Sequence, residues 1–208
     1  MGWHAGVLSF NPRIDLPKAT AFVRDTYGDS AQTRVERWVE HLDQLKGKSE
    51  DLQLRSVNTF WNTTVREAED ISLWKQEDYW ATPLESLGRQ AGDCEDFVIG
   101  KYFSLLYLGV PAEKLRFIYV SATINGPIGR KTIAHMVLGY YPKPDADPLV
   151  LDNLNTEILP GSKRRDLKPV FSFNAQGIYV PGKANASADR LGRWSTLLAR
   201  MREQGLPV

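Results

Sequence analysis

"GDCEDFVIGKYFSLLYLG", residues 92–109, decides how this chain is organised. Asp93 is a natural helix N-cap, because a short carboxylate accepts from the free N–H groups of the first turn. Cys94 follows in that first turn. Phe97, Val98, Ile99, Tyr102, Phe103, Leu105 and Leu106 then leave almost no polar side. A helix apolar nearly all round is central and buried. Its start carries the only cysteine of the chain, set among Asp93, Glu95 and Asp96. Anions beside a thiol favour its protonated form and weaken it as a nucleophile at neutral pH. The helix N-terminus acts the other way, through partial positive charge and free N–H groups. One helix end is too weak against three carboxylates. A hard cation with oxygen ligands would offset them, and calcium is the natural candidate, although no EF-hand loop pattern is present.

Working outward, the upstream third reads helical. "SAQTRVERWVEHLDQLKGK" (30–48) spaces Val35, Trp38, Val39, Leu42 and Leu45 as one helix face, with Asp29-Ser30 as N-cap pair and Gly47 as stop. A second helix covers Leu52 to Asn62, with Leu54, Val57, Phe60 and Trp61 inward. "TPLESLGRQAG" (82–92) opens with a capping box, Thr82 with Glu85, and has Pro83 at the first helical position. It predicts a short helix ending near Gly88. Downstream of Gly109-Val110-Pro111 the pattern changes. "LRFIYVSATI", "KTIAHMVLGYY", "PLVLDNL" and "PVFSFNAQGIYV" are strand signals separated by turn residues. "SADRLGRWSTLLARMREQG" (187–205) returns to helix, with Leu191, Trp194, Leu198 and Met201 on one face. The order implies an α+β fold with the sheet packed on the central helix. We read residues 1–208 as a single domain: a helical part to about 110, a sheet part over about 111–182, and a last helix over about 187–204.

Composition narrows the function. A formal net charge of +1 gives no global basic field for nucleic acid. Lys163-Arg164-Arg165, followed at once by Asp166, reads as a solvated loop. No run of about 18 apolar residues offers a membrane span, so no direct membrane insertion is expected. A lone cysteine excludes an internal disulfide.

A cysteine nucleophile needs a base. Of three histidines, His4 is terminal and His41 lies near the polar side of the first long helix. His135 sits in a strand between Ile133 and Val137, so by alternation it faces a buried or half-buried side. The next strand carries Asp152 beside Leu151, and a carboxylate inside an apolar strand is costly unless paired. Adjacent strands would place Asp152 beside His135, to orient the imidazole that deprotonates Cys94. Each residue also has an ordinary account: a buried packing thiol, a satisfied core histidine, an aspartate starting a turn, acids matching a helix dipole. Their joint order nevertheless points to a thiol hydrolase or acyltransferase.

These residues also carry a resemblance. "DYWATPLESLGRQAGDCEDFVIGKYFSL" (78–105), with "AHMVLGYY" and "LVLDNLN" downstream, resembles the bacterial transglutaminase-like cysteine proteinases of the LapG type over roughly residues 55–175. The resemblance implies a papain-like, transglutaminase-like core. It implies Cys94 as nucleophile, His135 as general base and acid, Asp152 as orienting member, and Ca²⁺ on Asp93, Glu95 and Asp96. It further implies a periplasmic protease, its leader removed ahead of Met1-Gly2, that clips the N-terminal region of a LapA-type surface adhesin at a dialanine site. Such a protease releases biofilm and is sequestered by a LapD-type inner-membrane receptor for cyclic di-GMP. A dialanine site needs a narrow cleft, for which Trp61, Trp74, Tyr79 and Trp80 are candidate walls, although core packing is their commoner use. The Cys94 N–H should be one oxyanion donor, with Trp80 or Gln90 as candidates for a second. A transglutaminase-like amide acyltransferase and a catalytically silent binding module remain the alternatives.

Overall fold

The structure is a computed structural model that describes residues 13–126, 129–174, 177–179 and 192–208. Helices α1 (Leu16–Tyr27), α2 (Asp29–Leu45) and α3 (Glu50–Thr64) form the N-terminal part. Asp29 lies inside α2. The break before it is Gly28, whose φ of 88° suits a residue without Cβ, so Gly28 is the N-cap in place of the expected Asp29-Ser30 pair. Of the expected inward face of α2, Val35, Trp38, Leu42 and Leu45 are buried. Val39 is half-buried at its margin.

The short pieces that follow converge on one place. Strand β1 (Arg66–Glu67) leads into α4 (Asp70–Trp74). Helix α5 (Pro83–Arg89) begins with the expected capping box, Thr82 and Glu85 each bonding the other's backbone. Strand β2 (Ala91–Gly92) pairs in parallel with β1, Arg66 opposite Ala91 and Glu67 opposite Gly92. Helix α6 (Cys94–Tyr107) starts two residues later.

Helix α6 is buried along most of its length, as its apolar girth predicts. Trp38 and Trp61 each donate an indole N–H to Ser104 Oγ at 2.9 Å, and Ser104 donates to the Gly100 carbonyl at 2.7 Å. The two largest core side chains thereby keep their polar atoms satisfied. A Cβ on Gly100 would come within 2.5 Å of the Trp61 ring, so glycine is what lets α3 approach. Trp61 is therefore core and forms no cleft wall.

Six strands form an antiparallel sheet in the order β6-β5-β4-β3-β7-β8: β3 (Leu115–Gly126), β4 (Gly129–Tyr140), β5 (Leu149–Leu151), β6 (Leu159–Pro160), β7 (Leu167–Asn174) and β8 (Gly177–Tyr179). One face contributes Phe117, Met136, Leu138 and Phe173 to the core built on α6. The other carries Ile118, Val120, Val137 and Val150, beside a cavity of about 430 Å³. Strand β5 pairs with β4 only along Leu138–Tyr140, so the edge of β4 at residues 135–137 lies beyond the end of β5.

Helix α7 (Gly192–Glu203) closes the other side, and residues 187–191 of the expected helix lie outside those described. Leu197, not Leu198, joins Trp194 and Met201 in the core, and Leu198 is only partly buried. Arg200 of α7 bonds Glu85 at 2.9 Å and also reaches Tyr79 and the Trp80 carbonyl. This clamps the segment ahead of the cysteine. Among the described residues, no helix is long and apolar enough to cross a membrane. The architecture is the α+β arrangement, sheet packed on the central helix, that the element order implied.

Candidate active site

Cys94 is the first residue of α6. The Asp93 carboxylate caps the helix by accepting from Glu95 and Asp96 N–H. That cap does not use the Cys94 N–H. The sulfur accepts from the Met136 N–H, on the stretch of β4 past the end of β5. Its thiol donates to Glu95 Oε2 at 2.7 Å. Burial first, then the charges of Glu95 and Asp93, push the thiol well above its ordinary value. The polypeptide alone thus holds the sulfur protonated.

His135 is buried where β4 passes from its exposed half into the core. Its Nε2 lies 2.8 Å from Asp152 Oδ1. Asp152 follows the last residue of β5 rather than sitting inside the strand. Its carboxylate is fully committed. Oδ1 also accepts from the Leu154 N–H at 3.0 Å, and Oδ2 accepts from Arg164 Nη2 at 2.7 Å. Burial would raise this carboxyl. The hydrogen bonds and charges of His135 and Arg164, with the Leu154 N–H, override burial and hold it at about 2. A carboxylate only accepts, so neutral His135 carries its proton on Nε2 and keeps a lone pair on Nδ1. Asn62 fixes the same turn by donating to the Asp152 carbonyl at 2.8 Å.

Arg164 corrects the sequence reading. The basic run was expected to be solvated, yet Arg164 is 3% exposed. Nothing local signals this, since Lys163-Arg164-Arg165-Asp166 has the composition of a surface loop.

A second cluster lies on the other side of the Cys94 turn. Carboxylate oxygens of Asp70, Asp93 and Asp96 lie within 4.8 Å of one another. The β1–β2 bridge and the Ala68 N–H on the Gly92 carbonyl bring Asp70 there. A Cβ on Gly92 would come within 2.7 Å of the Asp96 side chain, so this glycine makes room for the third acid. Asp70 Oδ2 accepts from Tyr79 N–H and Asp96 Oδ1 from Ala81 N–H. Asp70 Oδ1 and Asp96 Oδ2 are buried without a hydrogen-bond partner. Burial, then neighbouring carboxylates, raise Asp70 to about 6 and Asp93 to about 8, and push Asp96 well above the usual range. Orphaned carboxylate oxygens converging on one point fit a hard cation with oxygen ligands. Sequence proximity could find Asp93 and Asp96 but not Asp70. Glu95 stands apart from the three, with Oε2 on the thiol, though its charge acts on Asp70 and Asp93.

The aromatic candidates divide. Trp74 packs on Tyr79 with ring centroids 4.6 Å apart and planes tilted by 31°, below the Arg89 guanidinium. Trp80 stacks on Phe173, and its buried indole N–H has no partner. Gln90 is exposed and caps α5 with a left-handed backbone. His41 stacks on Phe60 at 5.1 Å, on the α2–α3 surface.

Comparison with known proteins agrees with this arrangement. The family model of the bacterial transglutaminase-like cysteine proteinases (BTLCP) matches residues 24–165. Among curated proteins none matches. The solved structure of Legionella pneumophila LapG, EGTA-treated, is 38% identical, with 91% of this chain and 99% of that chain covered and a TM-score of 0.77. The calcium-bound form of that LapG is likewise 38% identical, with 90% and 99% covered and a TM-score of 0.75. The chain belongs to the bacterial transglutaminase-like cysteine proteinases.

Proposed function

We propose that this proteinase hydrolyses a peptide bond with Cys94 as nucleophile, His135 as general base and acid, and Asp152 as the residue that orients the imidazole. The observation that carries this is the Asp152–His135 bond of 2.8 Å, which frees Nδ1 on the strand whose Met136 N–H already holds the sulfur. His135 takes the thiol proton, the sulfur attacks the carbonyl carbon, and the C–N bond breaks as His135 returns the proton to the leaving amine. Water, deprotonated by His135, then cleaves the thioester. The Cys94 N–H, left out of the Asp93 cap, is a donor for the developing oxyanion, and the unpartnered indole N–H of Trp80 is a candidate second.

Asp70, Asp93 and Asp96 would hold Ca²⁺; Glu95, which the resemblance also implies as a ligand, would first have to leave the thiol. Bound there, the ion supplies positive charge that offsets the carboxylates opposing thiolate formation. The solved LapG relative exists in calcium-bound and EGTA-treated forms, which supports this choice of metal. By the same resemblance, the substrate is the N-terminal region of a large LapA-type surface adhesin, cut at a dialanine site in the periplasm. Access is controlled by a LapD-type receptor for cyclic di-GMP.

The test is cleavage of an adhesin N-terminal fragment containing a dialanine site, by the protein and by Cys94→Ala, each with Ca²⁺ and with chelator. Cleavage confined to the unmodified protein in Ca²⁺ is expected, with products whose masses match water addition. An amine-linked product would make it an acyltransferase. Cleavage by Cys94→Ala would sink the thiol mechanism.

A further inference from the structure

We propose that Arg164 is a positioning residue for the reaction, holding the second oxygen of Asp152 so that the first stays aimed at His135. This rests on the proposed Cys94–His135–Asp152 reading.

The carboxylate of Asp152 has its two oxygens divided between two tasks. Oδ1 meets His135 Nε2 at 2.8 Å and the Leu154 N–H at 3.0 Å. Oδ2 meets Arg164 Nη2 at 2.7 Å. Without that last bond, no other hydrogen bond on Oδ2 among the described residues resists rotation of the carboxylate about its Cβ–Cγ bond. The rotation would carry Oδ1 off the imidazole. The guanidinium is itself fixed from the far side. Asp166 takes Arg164 Nε at 3.0 Å through Oδ1 and Nη2 at 2.7 Å through Oδ2. A planar guanidinium can serve two carboxylates at set angles, which a lysine ammonium does not reproduce. Arg164 also follows the tight turn Gly161–Lys163, which puts its backbone beside the sheet's outer cavity.

Arg164 is among the lining residues of that cavity, of about 430 Å³, on the sheet face away from α6. Two consequences follow. The residue is screened from the substrate, so its loss acts on turnover and not on substrate binding. The space left by truncation opens to a cavity that a small cation can enter.

The experiment follows an internally quenched peptide spanning an Ala-Ala bond, in Ca²⁺, with the full chain. For Arg164→Ala, kcat falls roughly 100-fold with KM nearly unchanged. Millimolar guanidinium, but not urea, then restores kcat roughly tenfold. Asp166→Asn, which weakens the far-side hold on Arg164 without removing its bond to Asp152, lowers kcat less than Arg164→Ala does. A folded Arg164→Ala with parental kcat overturns the proposal. So does a loss that guanidinium and urea treat alike, or one confined to KM. Should Arg164→Ala fail to fold, Arg164→Lys decides: a drop in kcat alone supports the role, and parental kcat overturns it. Cys94→Ala runs alongside, and its retaining cleavage would defeat the underlying reading instead. If the parent does not cut the peptide, the substrate reading fails, and alkylation of Cys94 by iodoacetamide decides for Arg164. A slower rate in Arg164→Ala supports the role, and an unchanged rate overturns it.

Discussion

Two groups of buried carboxylates flank the Cys94 turn, and they are treated in opposite ways. Asp152 is given His135, Arg164 and a backbone N–H, and its carboxyl is held at about 2. Asp70, Asp93 and Asp96 are given backbone N–H groups and one another. Two of their oxygens are left without partners, and all three carboxyls are pushed upward, by burial first. Removing a carboxylate from water is tolerated only with a counter-charge or full hydrogen bonding. In one group the chain supplies both. In the other the acids are gathered and the charge is left to come from outside. The first is built to be a permanent anion beside the imidazole. The second, with its unpartnered oxygens, fits the proposed cation.

The strongest way to break this contrast is to neutralise the satisfied carboxylate. Asp152→Asn removes the ion pair with Arg164 and the charge that stabilises an imidazolium. It should lower kcat on the order of 10³- to 10⁴-fold with the chain still folded. Steady-state kinetics with circular dichroism checks this, and parental turnover would remove Asp152 from the reaction. Next comes the cation. At a concentration of about 100 times its Kd, Ca²⁺ should stabilise the protein by about 2.7 kcal/mol over the chelated form, read from thermal unfolding. Asp70→Asn should lose most of that response while its chelated form melts higher than the chelated parent. A full response would exclude Asp70 from the site.

A third experiment probes the inner side of the contrast. Lys101 is wholly buried on α6 with no hydrogen-bond partner for its amine, near enough to Asp152 to feel its charge. Burial lowers it from 10.5 to about 7, against the pull of Asp152. Between those values the unfolded chain binds more protons than the folded one, so this residue makes stability rise with pH. Lys101→Met should be more stable than the parent by about 2 kcal/mol near neutrality. The difference should shrink as pH approaches 10, and a constant one would mean that the buried amine keeps its ordinary value and stays charged in the folded chain. The smallest effect at working pH comes from Asp152 itself. Its depressed value contributes stability that is complete above 3.8 and lost as pH falls through about 2. Acid unfolding of the parent and of Asp152→Asn should therefore converge near the bottom of that window.

Much of this was legible before any fold was known. Asp93, Cys94 and the apolar girth of residues 97–106 mark a buried helix with a thiol at its start, because capping and burial are local rules. His135 announces itself as a polar residue in an apolar strand, and Asp152 as one at the end of an apolar run. The Thr82–Glu85 capping box is another local signature. What escaped was long-range. Asp70 is one acid among several in "REAED" until a two-residue parallel bridge brings it beside Asp93. Arg164 looks solvated until the turn after β6 folds it under Asp152. Trp61 passes as a cleft candidate until Gly100 admits it to the core.

The sequence by itself determined the element types, the α+β order, the thiol at a helix N-terminus and the surplus of negative charge around it. Each of these follows from side-chain chemistry and spacings of a few residues. Only the tertiary structure decided which carboxylates are gathered with unpartnered oxygens and which one is satisfied beside a base. That choice depends on which distant N–H groups and guanidinium arrive at each oxygen, and a buried charge takes its meaning from the partners that reach it.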